Sequence, residues 1–171
     1  MPIPEFRHNR FLQGMLLWLL ILWVAMAIAP FDRGDWLLEN VLVFVYGALL
    51  IATYPRFRFS NLSYGLFGIF LSLHMVGAHS TYSETPFGFW LQEVFYLSRN
   101  HYDRIVHFSF GLLIAYPFRE FLLRVTGVRL EWSYLLVGVA VGAVIGGVAA
   151  VRVKMTAMPE MVGLFNGFGG G

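Results

Sequence analysis

Apolar residues fall in long blocks separated by short polar stretches. Phe11–Ala29 is an almost unbroken apolar run of 19 residues. At ~1.5 Å per residue such a helix matches the hydrocarbon core of a bilayer. Pro30 ends it, having no N–H and restricting the residue before it. The polar start Met1–Arg10 ahead of an apolar core also suits a signal peptide. The run is long for that role and no small-x-small cleavage site leads into a soluble domain, so a spanning helix is predicted. Further spans are predicted at about Trp36–Tyr54, stopped by Pro55, and about Leu62–Ala78, capped by Ser60 or Asn61. A fourth runs from near Tyr102 to about Phe121, where Pro117 is expected to kink or end it. The fifth covers about Trp132–Val151, and Met161–Phe168 opens a sixth apolar segment too short to cross. Between the third and fourth, Phe87–Leu97 is amphipathic and reads as a short interfacial helix carrying Phe89, Trp90, Phe95 and Tyr96. The predicted fold is all-α: a polytopic membrane helical bundle of about five transmembrane helices with an incomplete sixth.

The last block differs in texture. Gly138, Gly142 and Gly146 recur every four residues. That small-xxx-small face lets another helix approach closely, so helix–helix association is expected there. The texture changes at about residue 132, and the resemblances given below imply two parts, a membrane bundle over 1–134 and a glycine-rich segment over 135–171.

Composition agrees with a bilayer as the partner. The chain has 171 residues, 58% hydrophobic and 13% charged, against about 25% charged in soluble domains. Mean hydropathy is +0.66. The absence of Cys excludes disulfides, thiolate metal sites and a Cys nucleophile. A net charge of +2 with no basic stripe points away from nucleic acid. Arg7 and Arg10 predict a cytoplasmic N-terminus in a bacterial inner membrane, and Arg56, Arg58, Arg119, Arg124 and Arg129 then fall inside. A fifth crossing would leave Arg152 and Lys154 outside, against that rule.

The candidate chemistry lies in Arg99–Gly111, which carries Arg99, His101, Asp103, Arg104 and His107 at the start of an apolar helix. Ionisable groups near a bilayer are costly, so they are functional suspects. Asp103 and His107 are one helical turn apart and can face one another, whereas His101 and His107 cannot. The predicted topology gathers His74, His79, Glu84, His101, Asp103 and His107 at the outer face. Candidate catalytic groups are His101, Asp103, His107, Glu84 and Arg104. His74, His79, Asp103 and His107 could hold a divalent metal such as zinc, able to activate water or polarise a carbonyl or phosphoryl group. The alternative is a hydrogen-bonded cluster that ties the helix ends and the loop together or binds a substrate. Arg99 and Arg104 could meet lipid phosphate, and Arg104 could instead pair with Asp103, Glu84 or Glu93. Glu39 and Asn40 are expected to cap their helix. The sequence names no reaction.

Two stretches resemble known families. From about Asn9 to Tyr134 the chain resembles the YjdF family of uncharacterised bacterial inner-membrane proteins. The likeness is carried by Ala29-Pro-Phe-Asp32, by Trp36-Leu-Leu-Glu39-Asn40, by His74-Met-Val-Gly-Ala-His79-Ser-Thr-Tyr82-Ser-Glu84-Thr-Pro86, and by Ser98-Arg-Asn-His101-Tyr-Asp103-Arg-Ile-Val-His107-Phe. It implies a small multi-span inner-membrane protein. The later family motifs, of Tyr-Glu-Leu-x-Glu-Trp and Gly-Asp-x-Trp-Asp type, are missing here. The piece Asp103-Arg-Ile-Val-His107-Phe is also similar to a signature of VanZ-like membrane proteins. Val137–Gly171, through Gly142-Ala-Val-Ile-Gly-Gly and Val153-Lys-Met-Thr-Ala-Met-Pro, resembles the membrane domain of the proton-translocating NAD(P) transhydrogenase beta subunit. A composite sequence is the reading these two likenesses suggest together. Three functional classes fit these observations. One is an inner-membrane protein with a polar outer-face cluster, related to lipid or envelope. Another is a structural protein packing through its glycine face. The third is a transhydrogenase fragment needing partner subunits.

Overall fold

The computed structural model describes residues 5–127, together with 132, 134, 137 and 138. The chain separates into two compact units, Met1–Val128 and Arg129–Gly171. The first unit holds the whole Arg99–Gly111 stretch. Apart from single positions, the predicted fifth span, the Gly138/Gly142/Gly146 row and the transhydrogenase-like segment lie outside the described residues.

Among the described residues there are five α-helices and no strand: α1 Arg10–Ala27, α2 Arg33–Thr53, α3 Asn61–His79, α4 Pro86–Val94 and α5 Tyr102–Thr126. Four of them, all but α4, are long and apolar enough to cross a membrane. Their starts are fixed by short polar side chains that take up orphan N–H groups. Asn9 accepts from Leu12 N at 3.0 Å, Asp32 from Asp35 N at 2.9 Å, and Ser60 from Ser63 N at 3.2 Å. Pro86 occupies the first turn of α4, where its missing N–H costs nothing. Gly127 closes α5 at φ 62°, the left-handed conformation glycine adopts freely.

The hub is α3. It packs against α5 and α1, and less extensively against α2. Over half of its most apolar stretch is buried (56%), against 11% for α1 and α2. Phe70, Leu71 and Met75 of α3 meet Leu19 of α1 and Tyr102 and Val106 of α5 in the main core. At Gly65 and Gly68 a Cβ would press on Phe11 at 3.2 Å and on the Met15 sulfur at 2.8 Å, so these two glycines set how closely α1 approaches. The outward faces of α1 and α2 remain studded with exposed Leu, Val, Ile and Phe. In water that would be a severe liability, and in lipid it is the ordinary state of a spanning helix.

Of the two outcomes expected at Pro117, a kink or an end, the end is corrected: α5 continues to Thr126 with the proline buried inside it. In a spanning helix the carbonyl freed by an internal proline is tolerated where neighbours shield it. The part of the helix beyond Pro117 brings Glu120 to Ser60, just before α3, and Arg124 to the Arg58 carbonyl.

Candidate functional site

Because α1, α2, α3 and α5 alternate in direction, the bundle has two polar rims. One, the His74 rim, gathers the ends of α1 and α3 with the starts of α2 and α5. The other, the Glu120 rim, gathers the start of α3 with the end of α5.

At the Glu120 rim a buried carboxylate is closed off by the protein itself. Glu120 accepts from Ser60 N at 2.9 Å, from Ser60 Oγ at 2.8 Å, and from Ser63 Oγ, and it pairs with Arg124 one turn on. Arg124 also donates to the Arg58 carbonyl. The carboxylate thus caps α3 from a different helix and latches α3 to α5. Tyr54 Oη, at this rim, is buried without a partner among the described residues.

The His74 rim is built differently. His74 is buried on α3. Its Nε2 lies 3.1 Å from the Glu39 carbonyl oxygen, which only accepts, so Nε2 carries the proton. Nδ1 is then the acceptor for the Tyr82 hydroxyl at 2.6 Å. The Glu39 carboxylate is 3.4 Å from the same hydroxyl. Burial, and next the neighbouring Glu39 charge, push the Tyr82 phenol well above its ordinary value, so it stays a donor. Tyr82 reaches this position because the chain turns back after α3 through two left-handed residues, Thr81 at φ 48° and Tyr82 at φ 58°. Such a pair is strained, threonine most of all. The turn is held by Tyr82 N donating to the Gly77 carbonyl at 2.8 Å and by buried Thr85, whose hydroxyl donates to the Tyr82 carbonyl. Gly77 is required here, since a Cβ would collide with the Tyr82 ring.

A second knot ties α4 and the start of α5 to that turn. Asn100 donates to the Thr85 carbonyl at 3.1 Å and accepts from Tyr102 N at 3.0 Å. Gly88 leaves the room Asn100 fills. Tyr102 Oη donates to the Leu73 carbonyl at 2.9 Å, fixing α5 to α3 at this level. Between the turn, α4 and α5 opens a pocket of ≈ 490 Å³. Its polar wall includes Ser83, Glu84, Gln92, Arg99, Asn100 and Asp103, with Tyr82 and Phe89 as its rings. Asp103 Oδ1 is buried yet has no hydrogen-bond partner among the described residues.

The predicted residues divide accordingly. Glu84 and Asp103 are brought together on one pocket, with Arg99. His101 is next to it in the chain but does not line it, and its Nδ1 is also buried and unpartnered among the described residues. Arg104 is exposed and forms no ion pair among the described residues, so the proposed pairing with Asp103, Glu84 or Glu93 is corrected. The Asp103–His107 couple is corrected as well. His107 is exposed, and its Nδ1 donates to the Asp103 backbone carbonyl at 2.7 Å, not to the carboxylate. Nor do His74, His79, Asp103 and His107 converge as metal ligands. Among the described residues no three His, Asp or Glu side chains form a group that could hold a metal ion. The reason is visible in the partners: the ring nitrogens are spent on separate carbonyls, with His79 Nδ1 turned away to Met26 O at 2.9 Å.

Sequence reasoning missed the partners of three residues. Tyr82 is one of the rings, with Trp90 and Tyr102, that the sequence offers either to a pocket or to an interface belt; it does line the pocket, and nothing local shows that it folds back onto His74. Asn40, expected to cap, is fully buried; it accepts from Trp23 Nε1 at 2.7 Å and donates to the Trp36 carbonyl at 2.7 Å, joining α1 to α2. Glu120 has the sequence context of one more loop charge.

Comparison with known proteins agrees with the membrane assignment. The family described as "Predicted membrane protein (DUF2238)" matches residues 11–150. That match continues past residue 134, across part of the segment with transhydrogenase-like motifs, and the comparisons give the transhydrogenase resemblance no support. The chain is 40% identical over 102 residues to "Inner membrane protein YjdF" of Escherichia coli (strain K12), an alignment covering 60% of this chain and 49% of that protein. The chain therefore spans about half the length of the curated relative it matches. No solved structure matches it.

Proposed function

This chain belongs to the DUF2238 family of predicted membrane proteins, and on that footing we propose that its His74 rim binds the polar end of a lipid or cell-envelope molecule. The observation that carries this reading is the pocket between the turn, α4 and α5, whose wall brings the Arg99 guanidinium and the Glu84 and Asp103 carboxylates together beside the Tyr82 and Phe89 rings. A concave space with a few convergent polar groups and rings is the ordinary form of a ligand site. The surroundings favour an amphiphile. Phe87 and Trp90 are exposed and stacked at 5.6 Å on α4, the helix that supplies Phe89 and Gln92 to the pocket. Aromatic side chains of that kind sit well where headgroups meet acyl chains. The turn, Asn100 and the Tyr82–His74–Glu39 relay act as scaffold, holding the pocket open in one shape.

The positive-inside rule supports an orientation in the inner membrane. Arg7, Arg10, Arg56, Arg58 and Arg124 lie at the Glu120 rim, against Arg33, Arg99 and Arg104 at the other, a bias that favours a cytoplasmic Glu120 rim and an outward-facing pocket. Native mass spectrometry of the purified chain, titrated with bacterial polar lipid extract, tests the binding reading. Retained lipid that is lost in the Arg99→Ala/Asp103→Ala double variant is the expected result. Equal retention by both proteins would refute it.

A further inference from the structure

The charges on the pocket wall go further than "a lipid". Arg99 is its guanidinium, while Glu84 and Asp103 are its carboxylates. Two carboxylates work against a simple anion, because they would repel it at contact distance. A simple cation would have no use for Arg99, which presents a planar fork suited to phosphate oxygens. A carboxylate such as that of Asp103 accepts hydrogen bonds, so the group seated against it donates. At ≈ 490 Å³ the space is that of a small-molecule site and exceeds what a lone ion occupies.

Resting on the reading that this pocket holds an amphiphile, we infer that its ligand is a phosphodiester headgroup ending in a hydrogen-bond donor, an ammonium or a hydroxyl. Arg99 holds the phosphate, and Asp103 with Glu84 holds the donor. Gln92 and Ser83 complete a neutral polar wall on which a headgroup of either kind can settle. Tyr82 and Phe89 bound the pocket on its apolar side.

A small set of lipids separates the chemistry. Phosphatidylethanolamine and phosphatidylglycerol carry a phosphodiester and a terminal donor, phosphatidylcholine carries the phosphodiester alone, and diacylglycerol lacks the phosphate. Binding of each to the whole chain in nanodiscs of inert lipid is measured for wild type, Asp103→Asn and Arg99→Gln. In wild type, phosphatidylethanolamine and phosphatidylglycerol are expected to bind about tenfold tighter than phosphatidylcholine, the ratio of one charge-assisted hydrogen bond. Asp103→Asn narrows that ratio for phosphatidylethanolamine. Arg99→Gln weakens all three phospholipids alike and leaves diacylglycerol unchanged. If the three phospholipids bind equally well in wild type, the inference fails while lipid binding at the rim stands. If diacylglycerol binds as tightly as the phospholipids, the phosphate half fails. If none binds, both this inference and the reading beneath it fall. The comparison among lipids in wild type needs no variant, so a folding defect in either substitution cannot obscure it.

Discussion

Two carboxylates, one at each rim, have opposite fates. Glu120 is buried and engaged by two serines and an arginine, so every donor it needs comes from its own chain. Asp103 is half-buried, and one of its oxygens finds no donor among the described residues. The first arrangement is self-sufficient and latches helices. The second is incomplete and faces a pocket. A buried charge therefore says little about function by type alone; what separates scaffold from site is whether its hydrogen bonds close inside the protein.

Substitutions should break this contrast in a definite order. Glu120→Ala has the largest effect. It strands Ser60 N and the Ser63 hydroxyl and unpairs Arg124, costing about 3 kcal/mol of unfolding free energy by denaturant titration. Lipid bound per folded molecule should not change. Gly88→Val comes next. Its side chain must displace Asn100, loosening α4 from the start of α5, at about 1–3 kcal/mol. Unlike the Glu120 variant, it should also weaken lipid binding in the same titration.

Tyr82→Phe removes one hydroxyl and costs about 1 kcal/mol. Its pH signature is more telling than its size. Burial and Glu39 raise the Tyr82 phenol above its unfolded value of about 10. A group whose pKa is raised on folding contributes fully below the unfolded value and loses that contribution as pH climbs past it. Thermal scans should therefore show wild type losing stability above about pH 10 more steeply than Tyr82→Phe. The smallest effect sharpens the comparison from the other side. His107→Ala, at an exposed position with one local backbone bond, should stay within about ±0.5 kcal/mol and leave lipid binding intact.

Much of the scaffold was legible from the chain. Apolar runs of bilayer length located α1, α2, α3 and α5, and the aromatic stretch before Arg99 located α4, because length and hydrophobicity act locally. The alternation of helices also placed Glu84, Asp103, His74, His79, His101 and His107 at one end. What could not be read was pairing. Whether His107 turns to the Asp103 carboxylate or to its carbonyl is decided by rotamers within one turn, and both options fit the same spacing. The Tyr82–His74 bond depends on two left-handed residues in a row, which no propensity favours at Thr81 and Tyr82. Glu120 was hidden by Pro117, a residue that ends most soluble helices but here sits inside α5.

The central claim is that the His74 rim is a site and the Glu120 rim is scaffold. A phosphatidylethanolamine carrying a photoreactive group in its headgroup tests it most directly, in nanodiscs, with the crosslinked peptides sequenced. The account predicts label concentrated within residues 81–103, competed away by unlabelled phosphatidylethanolamine and reduced in Arg99→Gln. Label spread evenly over both rims, or concentrated within residues 56–64 and 119–124, would contradict it.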